Sequence, residues 1–116
     1  IFLVLEVDAA DEGTWADARR AMKVMLAEQD RWDRDMRTSA ARELTELACK
    51  WRESADEEVP EITEESFARR IELRSIAMDA DGSFSAYFDD DDMFFGHCVT
   101  AYGTLTDGVT AANMEG

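Results

Sequence analysis

From Thr14 to Ser54 the chain holds neither glycine nor proline, a run of about forty residues that leaves helix as the natural conformation. Apolar side chains recur at Trp15, Ala18, Met22, Met25, Trp32, Met36, Ala40, Leu44, Leu47 and Trp51, the three-and-four spacing of one buried stripe. Arg19, Arg20, Lys23, Asp30, Arg34, Arg42, Glu46 and Arg52 occupy the other face. Thr14 is the expected start, with Asp17 placed to favour the positive end of the helix dipole. The phase is poorest around Glu28 to Asp30, where Gln29 falls on the stripe. Two helices meeting near Gln29 to Trp32 are therefore expected, with one bent helix as the alternative. The three tryptophans on the stripe are expected in the core, where large aromatic area is best buried.

On either side of this segment the period changes. Ile1 to Val7 is a short run rich in branched residues, read as a strand; apolar residues on both of its faces suggest a central or well-covered position. Ala55 to Glu65 carries six acids and the chain's one proline, Pro60, and is expected as a loop, after which Thr63 caps a short helix bearing Phe67 and Ile71. From Leu73 onward apolar and polar residues alternate. Ile76 and Met78 lead into Asp81-Gly82, and Phe84, Ala86 and Phe88 follow it; a strand over about Phe95 to Leu105 and another over about Val109 to Met114 meet at Asp107-Gly108. Asp-Gly between alternating runs is a hairpin signal. The expected fold class is α+β: an antiparallel sheet of about five strands, one N-terminal and four in a C-terminal meander, covered on one face by two or three helices. Residues 1–116 read as a single α+β domain, large enough for one core without staples. Because the first residue is Ile1 and not Met, that domain is expected to be the C-terminal part of a longer chain.

A formal net charge of -15 on 116 residues restricts the partners. Residues 14–54 carry nine basic and eight acidic side chains, whereas residues 75–116 carry eight acids and no Lys or Arg. A negative field of this kind repels nucleic-acid phosphate and anionic membrane, and attracts basic proteins or cations. No nucleic acid and no membrane are expected as partners, and a basic protein is; solubility alone is the competing explanation for the charge. Cys49 and Cys98 are too few for a disulfide framework and are expected reduced and buried. Ile1 to Val7 is too short for a signal h-region or a membrane span, so a cytoplasmic location is the default expectation.

The segment with most chemical potential is Asp89-Asp90-Asp91-Asp92-Met93-Phe94-Phe95-Gly96-His97-Cys98, which contains the chain's one histidine. Its candidate functional residues are Asp89, Asp90, Asp91, Asp92, Phe95, Gly96 and His97. Carboxylates of such a loop could hold a hard cation, and Asp89, Asp92 and His97 are the candidate metal ligands. An ion is not required, because neighbouring carboxylates about 6 Å apart in water repel by only roughly 0.7 kcal/mol per pair. His97 can instead anchor the loop through hydrogen bonds from its ring nitrogens. His97 and Cys98 adjoin on an expected strand and should point to opposite faces, which disfavours a Cys–His dyad. Asp79-Ala80-Asp81-Gly82-Ser83 is only superficially like a calcium loop: Ala77 and Phe88 fall where ligands are needed, so a hairpin turn is expected. No cofactor is implied and no catalytic residue can be named.

The acid-rich Asp89–Val99 segment, preceded by Ser75-Ile76 and by Asp81-Gly82-Ser83-Phe84, resembles the bacterial family known as domain of unknown function 2262. Trp32-Asp33 and the run from Ala40 to Leu44 share in the resemblance, which extends from about Trp15 to Gly116. It implies a bacterial, mostly intracellular domain without an established activity, in the company of small acidic families some of which resemble immunity proteins. Two functions remain open: a non-enzymatic interaction module, such as an immunity-type inhibitor of a basic partner, and a metal-dependent hydrolase or metal-binding domain built on the Asp89 to His97 segment.

Overall fold

The computed structural model describes residues 2–6, 10–53 and 61–115; Ile1, Val7 and the part of the acidic loop containing Pro60 lie outside them. The described elements run β1 (Phe2–Glu6), α1 (Glu12–Ala27), α2 (Gln29–Glu53), α3 (Glu64–Arg70), β2 (Glu72–Asp79), β3 (Ser83–Asp89), β4 (Cys98–Thr104) and β5 (Gly108–Glu115). The expected α+β class, five strands and three helices are all present.

The expected two helices are present, and the break between them falls at Glu28, just ahead of the expected Gln29 to Trp32, where a φ of -126° and a ψ of 40° leave the helical region. Its N–H donates back to Met25 O, and Trp32 N resumes the ladder on Glu28 O. The first helix starts two residues before the expected Thr14. Asp11 is the actual cap, its Oδ1 accepting from Gly13 N at 2.9 Å and Thr14 N at 3.2 Å. Hydrogen bonding from the Thr14 side chain first, and then from these two amides, holds the Asp11 carboxyl below its ordinary range. Thr63 caps α3 as expected, in a reciprocal box with Ser66.

The strands form one sheet in the order β1-β2-β3-β4-β5. The last four make the expected antiparallel meander, with Gly82 and Gly108 at φ 89° and 82° supplying the left-handed turn positions. β1 differs from expectation in two ways: it pairs with β2 in parallel, Leu3 beside Ile76 and Leu5 beside Met78, and it is an edge strand. Phe2 is 77% exposed. Its apolar residues occur on both faces without central burial, because the helical segment returns the chain to the sheet beside β1 in the same direction and leaves the outer edge open.

Alternation assigns Ile76, Met78, Phe84, Ala86, Phe88, Val99 and Ala101 to one face, and all belong to the core cluster with Met22, Met25, Trp32, Met36, Ala40 and Leu44 of the helices. α2 packs along β5 and β4 and against α3, and α1 against β2 and β1. Trp32 meets Phe84 edge-on at 5.4 Å between centroids. Of the three tryptophans expected in the core, Trp32 is buried, Trp51 half-buried and Trp15 is 47% exposed, since it sits on the first turn of α1 at the margin of the stripe. Cys49 and Cys98 are free, and only half-buried where full burial was expected. Gly103 lies where the inner face is tightest: an added Cβ would come within 2.1 Å of Gly108 O and 2.9 Å of Phe84 Cζ. A single substitution there would force the β4–β5 hairpin apart.

Candidate functional site

The loop from Asp90 to His97 crosses the end of the sheet where β3 finishes and β4 begins. Four carboxylates in a row would be expected to splay into solvent. Instead Asp90 is 1% exposed and serves as the loop's internal scaffold. Its Oδ1 accepts from Asp92 N at 3.1 Å, and its Oδ2 from Phe94 N at 2.9 Å and Gly96 N at 3.1 Å. One side chain thereby satisfies three amides that the tight backbone path cannot pair with carbonyls.

The neighbours have separate roles. Asp89 Oδ2 accepts from Arg74 at 2.9 Å and its Oδ1 from Asp91 N at 3.1 Å. The guanidinium, and then that amide, hold the Asp89 carboxyl below the ordinary carboxylate range, and Asp89 in turn raises Arg74. Asp91 accepts from Arg70 Nε at 2.8 Å, and its carbonyl from Arg70 Nη2 at 3.1 Å. Of the four, Asp92 alone leaves its carboxylate exposed without a partner among the described residues. The negative field expected of residues 75–116 is therefore reduced here by Arg70 and Arg74, which lie just before that segment in sequence and fold onto it.

The backbone is held in uncommon conformations. Asp91, Asp92 and Phe95 have φ of 50°, 60° and 58°, and Gly96 92°. Aspartate visits this region readily, whereas phenylalanine there is an outlier that persists only when its surroundings impose it. The consequence is a separation of adjacent rings: Phe94 is buried against Phe67 and Trp51, and Phe95 is turned outward, 58% exposed. Trp51, at the end of α2, is the common support. It contacts Phe94 edge-on at 5.6 Å, Phe95 in a tilted arrangement at 5.3 Å and His97 edge-on at 5.3 Å.

His97 meets Trp51 edge-on, and among the described residues it makes none of the hydrogen bonds expected of it. It precedes β4, so the opposed-face argument for His97 and Cys98 does not apply, and both line one shallow cleft of about 240 Å³ with Arg74, Tyr87, Asp89 and Gly96. The cleft lacks a free base at Asp89, whose oxygens are both engaged. Among the described residues no three His, Cys, Asp or Glu side chains gather as a metal ion would require, and Asp89, Asp92 and His97 do not form such a group. Beyond the cleft, on the same sheet face, Tyr102 donates to Glu115 in β5, and Thr100 donates to the other Glu115 oxygen at 3.4 Å. The Tyr102 hydrogen bond to Glu115, with burial, pushes the Tyr102 phenol up to about 12.

Of the residues singled out in sequence, the structure brings Asp89, Asp90, Asp91, Asp92, Phe95, Gly96 and His97 into one loop. Trp51, Arg70, Arg74 and Tyr87 complete the site and were not foreseen. Trp51 sits on the helical stripe and reads as core, and Arg70 and Arg74 belong to other elements. Tyr87 alone had a signal, since alternation puts it on the face of Asp89.

Residues 1–114 match the model of a family described as an uncharacterized protein conserved in bacteria (DUF2262), and the chain belongs to that family. No curated protein and no solved structure matches it. Among the described residues no helix is long and apolar enough to cross a membrane.

Proposed function

We propose that this member of a bacterial family is a protein-interaction module whose rigid Asp90–His97 loop receives a basic protein partner, in the manner of an immunity-type inhibitor. The observation that carries the reading is Phe95: an aromatic ring held outward in a left-handed conformation, on a loop braced from inside by Asp90 and from beneath by Trp51. Preorganised aromatic anchors dominate interface energetics because little entropy is lost when a partner covers them. Covering the exposed part of such a ring, roughly 100 Å², is worth about 2.5 kcal/mol. Acidic residues accompany the anchor: Asp92 precedes it on the loop, and Glu53 ends the helix that carries Trp51. They supply long-range attraction for a basic surface, more in rate than in affinity.

The test is affinity capture from lysate of a bacterium that carries the protein, comparing wild type with Phe95→Asn at low and high salt. Asparagine tolerates the left-handed backbone, so the loop is kept and only the ring is lost. A basic protein retained by wild type, released by salt and bound at least tenfold more weakly by the variant is the expected result. Retention of no basic protein, or equal retention by Phe95→Asn, would count decisively against the proposal.

A further inference from the structure

β1 ends the sheet with an edge that carries none of the usual protections against pairing. Its residues, Phe2-Leu3-Val4-Leu5-Glu6, include no lysine and no proline, and their register with β2 runs without a bulge. Phe2 is 77% exposed, Leu3 45% and Val4 43%. The opposite edge is guarded. The β4–β5 ladder shifts register between Tyr102 and Gly103, and the Met114 amide of β5 is taken by Asn113 Oδ1 at 3.0 Å instead of being offered to a further strand. A sheet with one open and one guarded edge pairs once and stops, which gives a closed two-fold dimer and not a fibre.

Charge decides which partner the open edge fits. Residues 1–27 hold five acids and three bases, a net of -2 out of the chain's -15. β1 itself has one ionisable side chain, Glu6. α1, which holds all three of those bases, packs against β1. This end of the molecule gives a basic partner little to hold, and it is where two copies of a strongly acidic chain meet with least repulsion.

We infer that the β1 edge is a self-association surface, on which two copies of the chain pair β1 with β1 antiparallel about a two-fold axis at Val4 and join their five-stranded sheets into one. In that register Leu3 lies opposite Leu5 of the second copy, on the face that carries Ile76 and Met78, so the apolar inner layer continues across the seam. Val4 meets Val4 of the second copy on the other face, and Phe2 lies over the second copy's Glu6. The two Glu6 carboxylates then stand about 13 Å apart, beyond the screening length of about 8 Å at physiological salt. A slip of one residue would set inner-face Leu3 against outer-face Val4 and break both layers. The exposed parts of Phe2, Leu3 and Val4 amount to roughly 300 Å² per copy, or about 600 Å² for the pair, against about 1,200 Å² for a standard stable interface. The dimer is therefore reversible and forms at high micromolar concentration. It shares no residue with the Phe95 loop and does not rest on the interaction proposed there.

Sedimentation equilibrium of the chain between about 10 µM and about 1 mM reads the mass, which is expected to rise from 13.1 kDa toward twice that value and no further. Amide ¹H–¹⁵N signals of Phe2–Glu6 should move over the same range while those of β5 stay in place. Val4→Lys sets two ammonium groups face to face across the axis and should weaken the dimer at least about tenfold, whereas Val4→Thr, branched likewise, should stay within about threefold of wild type. The register is read by oxidation. Val4→Cys puts its two Cα atoms about 4.5–5.5 Å apart and should form a covalent dimer at least about tenfold faster than Glu6→Cys, whose Cα atoms are too distant for a disulfide. Wild type, with its free Cys49 and Cys98, gives the background. Should Val4→Lys fail to fold, the mass and cross-linking measurements decide. The inference is overturned if the mass stays at 13.1 kDa throughout, which would leave the edge to a strand of a different protein, or if it climbs past the dimer without a plateau. It is also overturned if folded Val4→Lys associates like wild type, or if Glu6→Cys cross-links as fast as Val4→Cys.

Discussion

Replacing Asp90 separates two opposed views of the aspartate run. If the four carboxylates only repel one another, removing one relieves roughly 0.7 kcal/mol per neighbouring pair, and a chain with a net charge of -15 becomes more stable. The hydrogen-bond geometry demands the reverse. Asp90→Ala strands three amides, those of Asp92, Phe94 and Gly96, of which the Phe94 bond is fully buried. Water can reach the other two if the loop opens, so the sum is smaller than three full desolvation penalties. About 3–5 kcal/mol is expected, at roughly 1.5–3 kcal/mol per bond to a charged acceptor with partial recovery. Asp90→Asn is a finer test. Oδ2 receives two of the three amides, so asparagine keeps that pair by placing its oxygen there and loses only the Asp92 bond, at a cost of about 1–2 kcal/mol. Urea unfolding followed by tryptophan fluorescence gives the free energies, with Asp92→Asn as the exposed control, expected within about 0.5 kcal/mol of wild type. The order wild type, Asn, Ala in falling stability is required; a more stable Ala variant, or an Asp92→Asn cost equal to that of Asp90→Ala, refutes the scaffold role.

Other consequences can be measured in the same way. Arg37 donates to the Ala68 and Ile71 carbonyls and pairs with Asp33, tying α2 to the end of α3, so Arg37→Met should lower stability by about 2–4 kcal/mol in urea melts, and Arg37→Lys should recover little because an ammonium cannot span the three acceptors. Asp89, with its carboxyl held below the ordinary range by Arg74, contributes stability that is present above about pH 4 and disappears as pH falls through its folded pKa. Acid unfolding of Arg74→Ala followed by circular dichroism should therefore begin at higher pH than in wild type; an unchanged midpoint would contradict the pairing. Ultraviolet titration should show one tyrosine ionising near pH 12, moving toward 10 in Glu115→Gln, with its contribution to stability present below about pH 10 and lost as pH rises toward 12. Gly103→Ala should yield no folded protein, as judged by amide dispersion in NMR spectra, since the backbone oxygen of Gly108 cannot move without breaking the hairpin.

Local chemistry explains what could be read without coordinates. Helical spacing located α1 and α2, and the misplaced polar Gln29 marked the break to within a residue or two, because a stripe of period 3.6 tolerates no slip. Asp81-Gly82 and Asp107-Gly108 located both hairpins, since few residues accept the left-handed turn that glycine adopts there. Thr63 was recognisable as a cap, while Asp11 was overlooked for Thr14 because both types cap helices and only the backbone angles choose between them. Three matters depended on tertiary structure. The parallel, exposed setting of β1 is a property of how the chain returns after three helices, and a five-residue apolar strand looks alike at the edge and the centre of a sheet. The ionic partners Arg70 and Arg74 lie outside the window in which the acids were counted, so charge arithmetic along the sequence overstated the field that folding leaves. Most of all, a row of four identical aspartates carries no mark of which one turns inward: that Asp90 became the scaffold, and Phe95 the exposed ring, was decided by where Trp51 and the β3–β4 connection placed the backbone.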